Sequence, residues 1–304
     1  MDVSIIIVNY NTKNLLRNCL ESIFEYTQGI SFEVIVSDNG SSDGSVEMVK
    51  SDFPQIILIE NNANLGFGTA NNRGLDIANG KYIFYLNSDT VLLNNAVKIF
   101  FDYWETSDEK ESIGALGCNL LDANKNINDS YGNFFDINRT IIELLKANYG
   151  LWKIVFLQLF GYKYCNHVKK KISEKKLGEV DCIIGADLFL ANTPLARFDE
   201  HIFLYHEEMD LEYRLMKYNK KRLLIDGPLI IHFEGQSSRS SVVFCIDEIE
   251  SFSAKCKNIS RIYYFKKNIS RSKALIVKIL TVFLWINPLV IKSTYKTLPQ
   301  LIRR

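Results

Sequence analysis

Four polar clusters in this 304-residue chain each fall just past an apolar run. Asp38-Asn39 follows FEVIVS, and Asn87-Ser88-Asp89 follows KYIFYL. Glu207-Glu208 follows FDEHIFLYH, and His232 follows LLIDGPLII. In a parallel α/β sheet the strand ends on one edge form the ligand crevice. Acids delivered to that edge from several strands can hold a metal ion, a diphosphate and a sugar together. Carboxylates are hard donors for a divalent cation, and one that faces a hydroxyl can act as a general base.

The elements that must position these residues follow from hydrophobic periodicity. VSIIIVN (3–9), FEVIVSD (32–38), QIILIE (55–60) and KYIFYLN (81–87) read as strands. Between them lie helices: one capped by Thr12 with Leu15, Leu16, Cys19, Leu20, Ile23 and Phe24 on one face, a short one near 46–50, and one from about 69 to 78. Strands and helices alternating at this spacing imply right-handed parallel βαβ units with helices on the sheet faces. Residues 94–106 read as a helix and IGALGCNLL (113–121) as a strand. A polar, Asn-rich loop or hairpin spans 122–138, and an apolar, aromatic segment spans 140–164. VDCIIGADLFLA (180–191) reads as strand or turn, then strand; 207–218 reads as a helix, and RLLIDGPLIIHF as one returning strand. Beyond Gly235 helices are expected at about 242–267 and 274–291.

Composition is that of a globular chain, 47% hydrophobic and 23% charged. Six scattered cysteines without a CxxC pair read as reduced, mostly buried thiols of a cytosolic protein. Acidic Asp2 and the short VSIIIV run exclude a signal peptide reading of the N-terminus. The net charge of +1 hides an asymmetry: residues 251–304 carry 12 Lys plus Arg and no Asp or Glu, which leaves −11 on residues 1–250. A purely basic tail calls for an anionic partner. ALIVKILTVFLWINPLVI sits near the lower length limit for a span, interrupted by Lys278, Asn287 and Pro288. It reads as lying in a membrane surface, with Trp285 at the interface; a core helix is the alternative.

VSIIIVNYNT, EVIVSDNGSSDGS, NANLGFGTANNRG, YLNSDT, FDEHIFLYHEEMDLEYRL and HFEGQS occur in one order over roughly residues 3–238. This series resembles the family 2 glycosyltransferases, and most of all their rhamnosyltransferase-like branch, which builds bacterial surface polysaccharides. The resemblance implies the α/β GT-A fold, an αβα sandwich with a mostly parallel central sheet, here with a C-terminal helical extension. It implies a catalytic domain over 1–238; from their own composition, about 139–176 reads as an acceptor-side or membrane-facing insertion and 239–304 as a basic, amphipathic helical tail. It further implies a sugar nucleotide donor carrying UDP or dTDP, Mg²⁺ or Mn²⁺ as cofactor, and inversion at the anomeric centre.

Carried over residue by residue, the resemblance makes Asp89 the metal ligand. Asn87 stands where the family has an acid, which removes one anionic charge, and His232 completes the shell. Asp38 matches the acid that accepts the imide N–H of a pyrimidine, and Asn64 a second contact beside the base. Asn39, Ser88, Asn9 and Asn11 line the same pocket. Asn71 replaces an arginine that touches the diphosphate in many members; Arg73 is the nearest cation. Glu207-Glu208 matches an acidic pair whose second member is the base, so Glu208 is the expected base, with Glu207 beside it and Asp210 in support. Asp187 is a candidate contact to the donor sugar. Blander readings stand beside these: a helix cap for Asn87–Thr90, turn chemistry for Asp38–Gly40, dipole compensation for the Glu pair, and a structural histidine at 232.

The leading function is therefore a metal-dependent, hexosyl- or rhamnosyl-type glycosyltransferase, peripheral at the inner face of the bacterial plasma membrane. Its acceptor is a hydroxyl of a glycan or lipid-linked saccharide, with no nucleic acid partner. Two alternatives remain: a nucleotidyltransferase on a related fold, and a catalytically inactive sugar-nucleotide-binding protein.

Overall fold

The computed structural model describes residues 1–159, 174–233 and 252–285. Chain contacts divide it into two compact units. The first comprises residues 1–134, 172–203 and 207–238, and the second 135–171, 204–206 and 239–304.

The first unit is built on β1 (Val3–Asn9), α1 (Lys13–Tyr26), β2 (Phe32–Asp38), α2 (Ser45–Asp52), β3 (Ile57–Glu60), α3 (Phe67–Leu75) and β4 (Tyr82–Leu86). There follow β5 (Thr90–Leu92), α4 (Ala96–Thr106), β6 (Ile113–Cys118) and β7 (Tyr131–Gly132). After the second unit's α5 (Ile137–Leu159) come β8 (Gly178–Glu179), β9 (Cys182–Ile183), β10 (Asp187–Ala191), α6 (Glu207–Lys217), β11 (Lys221–Ile225) and β12 (Ile230–His232). The expected single strand RLLIDGPLIIHF is two strands, because the chain turns through Gly227 at φ +109°.

The main sheet has the order β3-β2-β1-β4-β10-β6-β11-β8. β1 to β4 run parallel, as the sequence periodicity predicts. β10 enters antiparallel to both β4 and β6, and β11 runs parallel to β6. β1 is buried on both faces, which is why it reads as an unbroken β-branched run. Its side chains alternate between layers: Ile5 and Ile7 join Leu16, Leu20, Met48, Phe100 and Trp104 from α1, α2 and α4. Ile6 joins Leu211 and Leu215 of α6 on the other face. The result is the expected αβα sandwich. Beneath β4 and β10, Phe100 and Phe189 stack at 5.5 Å and 17°, which locks the inserted strand to α4.

Two local features set the functional edge. β5 and β12 form a separate antiparallel ribbon with Thr90 opposite His232. The loop into α3 passes Gly66 at φ +86°, where a Cβ would lie 2.2 Å from the Phe203 carbonyl oxygen. That oxygen accepts the Phe67 N–H at 3.0 Å.

The second unit contains α5, α7 (Phe252–Tyr264), a π turn over Phe265–Ile269 and α8 (Arg271–Trp285). Leu144, Ile262, Phe265, Ala274, Val277 and Leu284 form its core. Asn148 on α5 donates to the Leu280 carbonyl on α8 at 3.3 Å. No described helix is long and apolar enough to cross a membrane. Residues 242–251 and 286–291 of the expected helices, with Asn287 and Pro288, lie outside the described residues. Cys19, Cys118, Cys182 and Cys256 are buried thiols, as expected.

Gly66→Ala places a methyl group against backbone at a left-handed position. Its expected cost is about 1–3 kcal/mol, read as a lower urea midpoint at unchanged m-value; an unshifted midpoint contradicts the close approach.

Candidate active site

The C-terminal ends of β1, β2 and β3 are tied by short polar side chains. Asn9 is fully buried and donates Nδ2 to Asp38 Oδ2 at 2.7 Å and to Ser41 Oγ at 3.0 Å. Asp38 Oδ1 accepts the backbone N–H of Gly40 at 3.0 Å and of Ser41 at 2.8 Å. The turn role of Asp38 is therefore real, and only one lone pair of Oδ2 stays open to a ligand. Asn39 donates to the Gly66 carbonyl at 3.2 Å and to Asn64 Oδ1 at 3.4 Å, while Asn64 Oδ1 also accepts the Gly66 N–H. Asn11, at φ +55°, accepts the Ser42 N–H at 2.8 Å. These contacts bring Asn9, Asn11, Asp38, Asn39 and Asn64 onto one edge.

Thr12 occupies the N-cap of α1, but its side chain makes no capping bond. It donates instead to Asn9 Oδ1 at 2.6 Å and lies 3.0 Å from Ser88 Oγ. The expected cap is thus a bridge from the β1 loop to the turn after β4. That turn leads into β5 rather than a helix, so the capping reading of Asn87–Thr90 falls. Pairing of β5 with β12 brings His232 Nε2 to 3.3 Å from Asp89 Oδ1. Both residues are buried. Neighbouring vertices of an octahedron with 2.1 Å bonds are about 3 Å apart, so this spacing suits two adjacent ligands of one cation. Asn87 Oδ1 is buried with no hydrogen-bond partner among the described residues, which leaves a third donor atom available. Among the described residues no group of three or more His, Cys, Asp or Glu side chains forms a complete shell. A carboxylate, an imidazole and an amide oxygen fit a divalent ion that takes its other ligands from water and phosphate.

β10 delivers the next group. Asp187, its first residue, pairs with Leu86, the last of β4, and the Asn87 N–H donates to the Ala186 carbonyl at 3.1 Å. Asp187 is fully buried; Oδ2 accepts the Cys118 N–H at 2.8 Å, and Oδ1 has no partner among the described residues. Burial pushes its carboxyl up to about 7, against the Cys118 bond and the nearby His232 charge. Glu208 packs over the same turn, with its Cβ 3.3 Å from the position a Gly185 Cβ would take. Gly185 is the residue that leaves room for it. The two acids that open α6 differ. Glu207 is only 4% exposed, and burial, then the charge of Glu208, hold its carboxyl well above the usual range. The helix dipole favours the ionised form by only about 0.3–1 kcal/mol, and burial outweighs it at Glu207. Asp210 is buried in the same first turn.

A sequence profile described as "Glycosyl transferase family 2" matches residues 4–156, half of the chain. The chain belongs to glycosyl transferase family 2. It is 37% identical over 90 residues to the uncharacterized glycosyltransferase YibD of Escherichia coli K12, covering 29% of this chain and 26% of YibD. It is 34% identical over 122 residues to the E. coli protein named UDP-Glc:alpha-D-GlcNAc-diphosphoundecaprenol beta-1,3-glucosyltransferase WfaP, covering 36% of this chain and 48% of WfaP. The chain therefore spans less than half the length of either relative. In fold it is similar to a mannosyltransferase of Pyrobaculum calidifontis solved with GDP-Man and Mn²⁺. That likeness has a TM-score of 0.56 at 14% identity, over 99% of this chain and 75% of the other.

In this family 2 chain Asn71 and Arg73 lie on different faces of α3. Asn71 is buried and donates to the Phe67 carbonyl of its own helix at 3.1 Å. Arg73 is exposed and lies about 200° further round α3, so it does not reach the point where the Asn71 side chain sits. Three residues that sequence reasoning did not select prove structural to the site. Ser41 joins the β1 and β2 loops, and Asn72 clamps Phe198 through both its amide atoms at 3.0 and 2.9 Å. Glu212 accepts the Ile183 N–H at 2.9 Å and the Cys182 thiol at 2.7 Å, fixing α6 against β9. Their signal was weak: a turn serine, a second asparagine and a helix glutamate one turn past Glu208.

Burial is the main cause that holds the Glu212 carboxyl well above its ordinary 4.5. The folded chain therefore keeps this proton at a pH where the unfolded chain has lost it. Stability from this group is present below pH 4.5 and is lost as the pH rises through the folded value. Glu212→Gln should flatten the fall in urea midpoint above pH 4.5; an identical pH profile argues against a protonated Glu212.

Proposed function

We propose that this chain is an inverting glycosyltransferase that moves a hexosyl or rhamnosyl unit from a UDP- or dTDP-sugar to a hydroxyl of a glycan or lipid-linked acceptor. The process it serves is bacterial surface polysaccharide synthesis. One observation carries this reading: the Gly185–Asp187 turn holds Glu208 on the sheet edge where the β5–β12 ribbon joins Asp89 to His232.

Asp38, Asn39, Asn64 and the Asn9–Asn11 loop take the pyrimidine nucleoside, with Asp38 Oδ2 offered to the imide N–H. Ser88, tied to Thr12, sits beside the diphosphate. Asn71 lies on the same loop and helix; Arg73, on the outer face of α3, would serve only through movement. Asp89 and His232, with Asn87, would hold Mg²⁺ or Mn²⁺. When bound, that ion neutralises charge developing on the leaving diphosphate. Asp187 donates or accepts a hydrogen bond at a sugar hydroxyl according to its protonation. Glu208 removes the acceptor proton as the new C–O bond forms, since a carboxylate is too weak a base to do so beforehand. Glu207, held neutral, limits negative charge beside the approaching alcohol. Asp210 supports the first turn of α6. Attack opposite the leaving group inverts the anomeric centre. WfaP, by its name, uses UDP-Glc and a diphosphoundecaprenol-linked acceptor, which favours UDP and a lipid-linked acceptor here.

The same reading places the chain at the inner face of the membrane. Leu275, Ile276, Ile279 and Phe283 of α8 are exposed, and residues 251–304 hold 12 cations and no acid. Such a surface suits anionic lipid.

Purified protein with Mn²⁺ should release nucleoside diphosphate from one of UDP- or dTDP-sugars. Asp89→Ala should reduce this at least 100-fold, and Glu208→Gln should spare nucleotide binding in a thermal-shift assay while lowering transfer by about 10²–10⁴-fold. Full turnover in EDTA removes the metal from the mechanism, and no release from any sugar nucleotide favours an inactive binding protein. Ile279→Glu with Phe283→Glu should shift the protein from sedimenting with anionic vesicles to the supernatant at low salt; unchanged sedimentation removes α8 from membrane binding.

A further inference from the structure

A cavity of about 250 Å³ lies in the second unit, lined by Phe135, His206, Ala254, Lys257, Asn258 and Arg261. Four of these residues share one face of α7, at positions spaced by three, one and three. Lys257 and Arg261 form a like-charge pair four residues apart, which destabilises a helix. Among the described residues that line the cavity there is no carboxylate, and two of them are cations.

Their geometry specifies what is missing. Arg261 donates Nη2 to Asn258 Oδ1 at 2.5 Å, and its Nε is buried with no acceptor among the described residues. An unsatisfied buried donor is destabilising, more so when it belongs to a cation. Glu143 acts on Arg261 through its charge, yet its Oε1 already accepts Arg139 Nε at 3.1 Å. Lys257 Nζ rests 4.5 Å from the Tyr205 ring centroid, a cation–π seat that leaves its N–H donors to a further partner. Tyr205 and His206 both adopt left-handed φ values, +68° and +69°, conformations that persist only where the surroundings enforce them. Burial, then Arg261 and Lys257, push His206 down to about 3, so it adds a polar ring and no third charge. Phe135 closes the wall, edge-on to His206 at 4.8 Å and stacked on Phe265 at 5.6 Å.

A guanidinium fork and an ammonium group around one cavity match the oxygens of a phosphate. The volume falls below the about 300–1,000 Å³ of a whole-ligand pocket, so it suits a head group. The rest of the ligand has apolar surface in the same unit. On α5, Ile142, Leu145, Tyr149, Trp152 and Phe156 are exposed at alternating spacings of three and four, one continuous stripe. An anionic head group and exposed apolar helix faces within one unit select an amphiphile over a polar polymer.

We propose that this cavity takes the phosphate or diphosphate head of a lipid-linked acceptor, an inference that rests on the glycosyltransferase reading and names its acceptor class. His206 immediately precedes Glu207-Glu208 in the chain.

The test titrates the full chain, in EDTA so that no cation holds the probe elsewhere, with farnesyl diphosphate and separately with a glycerophosphate oligomer. Saturable binding of farnesyl diphosphate is expected, weakened at least tenfold in Lys257→Glu and retained in Lys257→Arg. Lys257 is exposed, so charge reversal there leaves the core intact, and a melting curve verifies this. Arg261→Lys, which lacks the Nε–H, should also bind more weakly. Equal affinity in the unaltered chain and Lys257→Glu overturns the proposal, as does tighter binding of the glycerophosphate oligomer. Nucleoside diphosphate release by the unaltered chain reports separately on the enzyme reading: release without farnesyl diphosphate binding rejects the cavity alone.

Discussion

The insertion of β10 between β4 and β6 is the constraint on which the site depends. Because β10 runs against both neighbours, its first residue meets the last residue of β4. A parallel strand in this place would carry Asp187 to the opposite edge of the sheet. The antiparallel choice puts the Gly185–Asp187 turn beside Asn87, and Glu208 follows because its side chain packs over Gly185. Buried aromatic stacking of Phe189 on Phe100 fixes the strand in that position.

Desolvation then sorts the acids gathered at this edge. Asp187, Glu207 and Glu212 are buried and shifted toward their neutral forms. Each has a different role: a hydrogen bond to the end of β6, a neighbour to Glu208, and a clamp from α6 to β9. These shifts reduce the negative charge gathered at this edge. Asp38 is engaged differently: three hydrogen bonds already occupy its oxygens.

The second unit follows another rule. Its core is small, and its long helices leave apolar faces and cations uncovered. On α7 the like charges of Lys257 and Arg261 converge on one cavity rather than spreading over the surface. Apolar stripes on α5 and α8 accompany them.

The sequence by itself determined the alternating first half, since β-branched runs buried on both faces and amphipathic helices leave little choice of element. It also placed Asp38, Asp89 and Glu208 at element ends, because polar residues after apolar runs have nowhere else to go. It did not show that Thr12 serves Asn9 and Ser88 rather than its helix, or that Arg73 turns away from Asn71. It gave no sign of the ribbon that joins His232 to Asp89, two residues far apart in the chain. Only the tertiary structure decided which acids are neutral and which cations converge. Those properties depend on burial and on distances across strands and helices, and local periodicity carries neither.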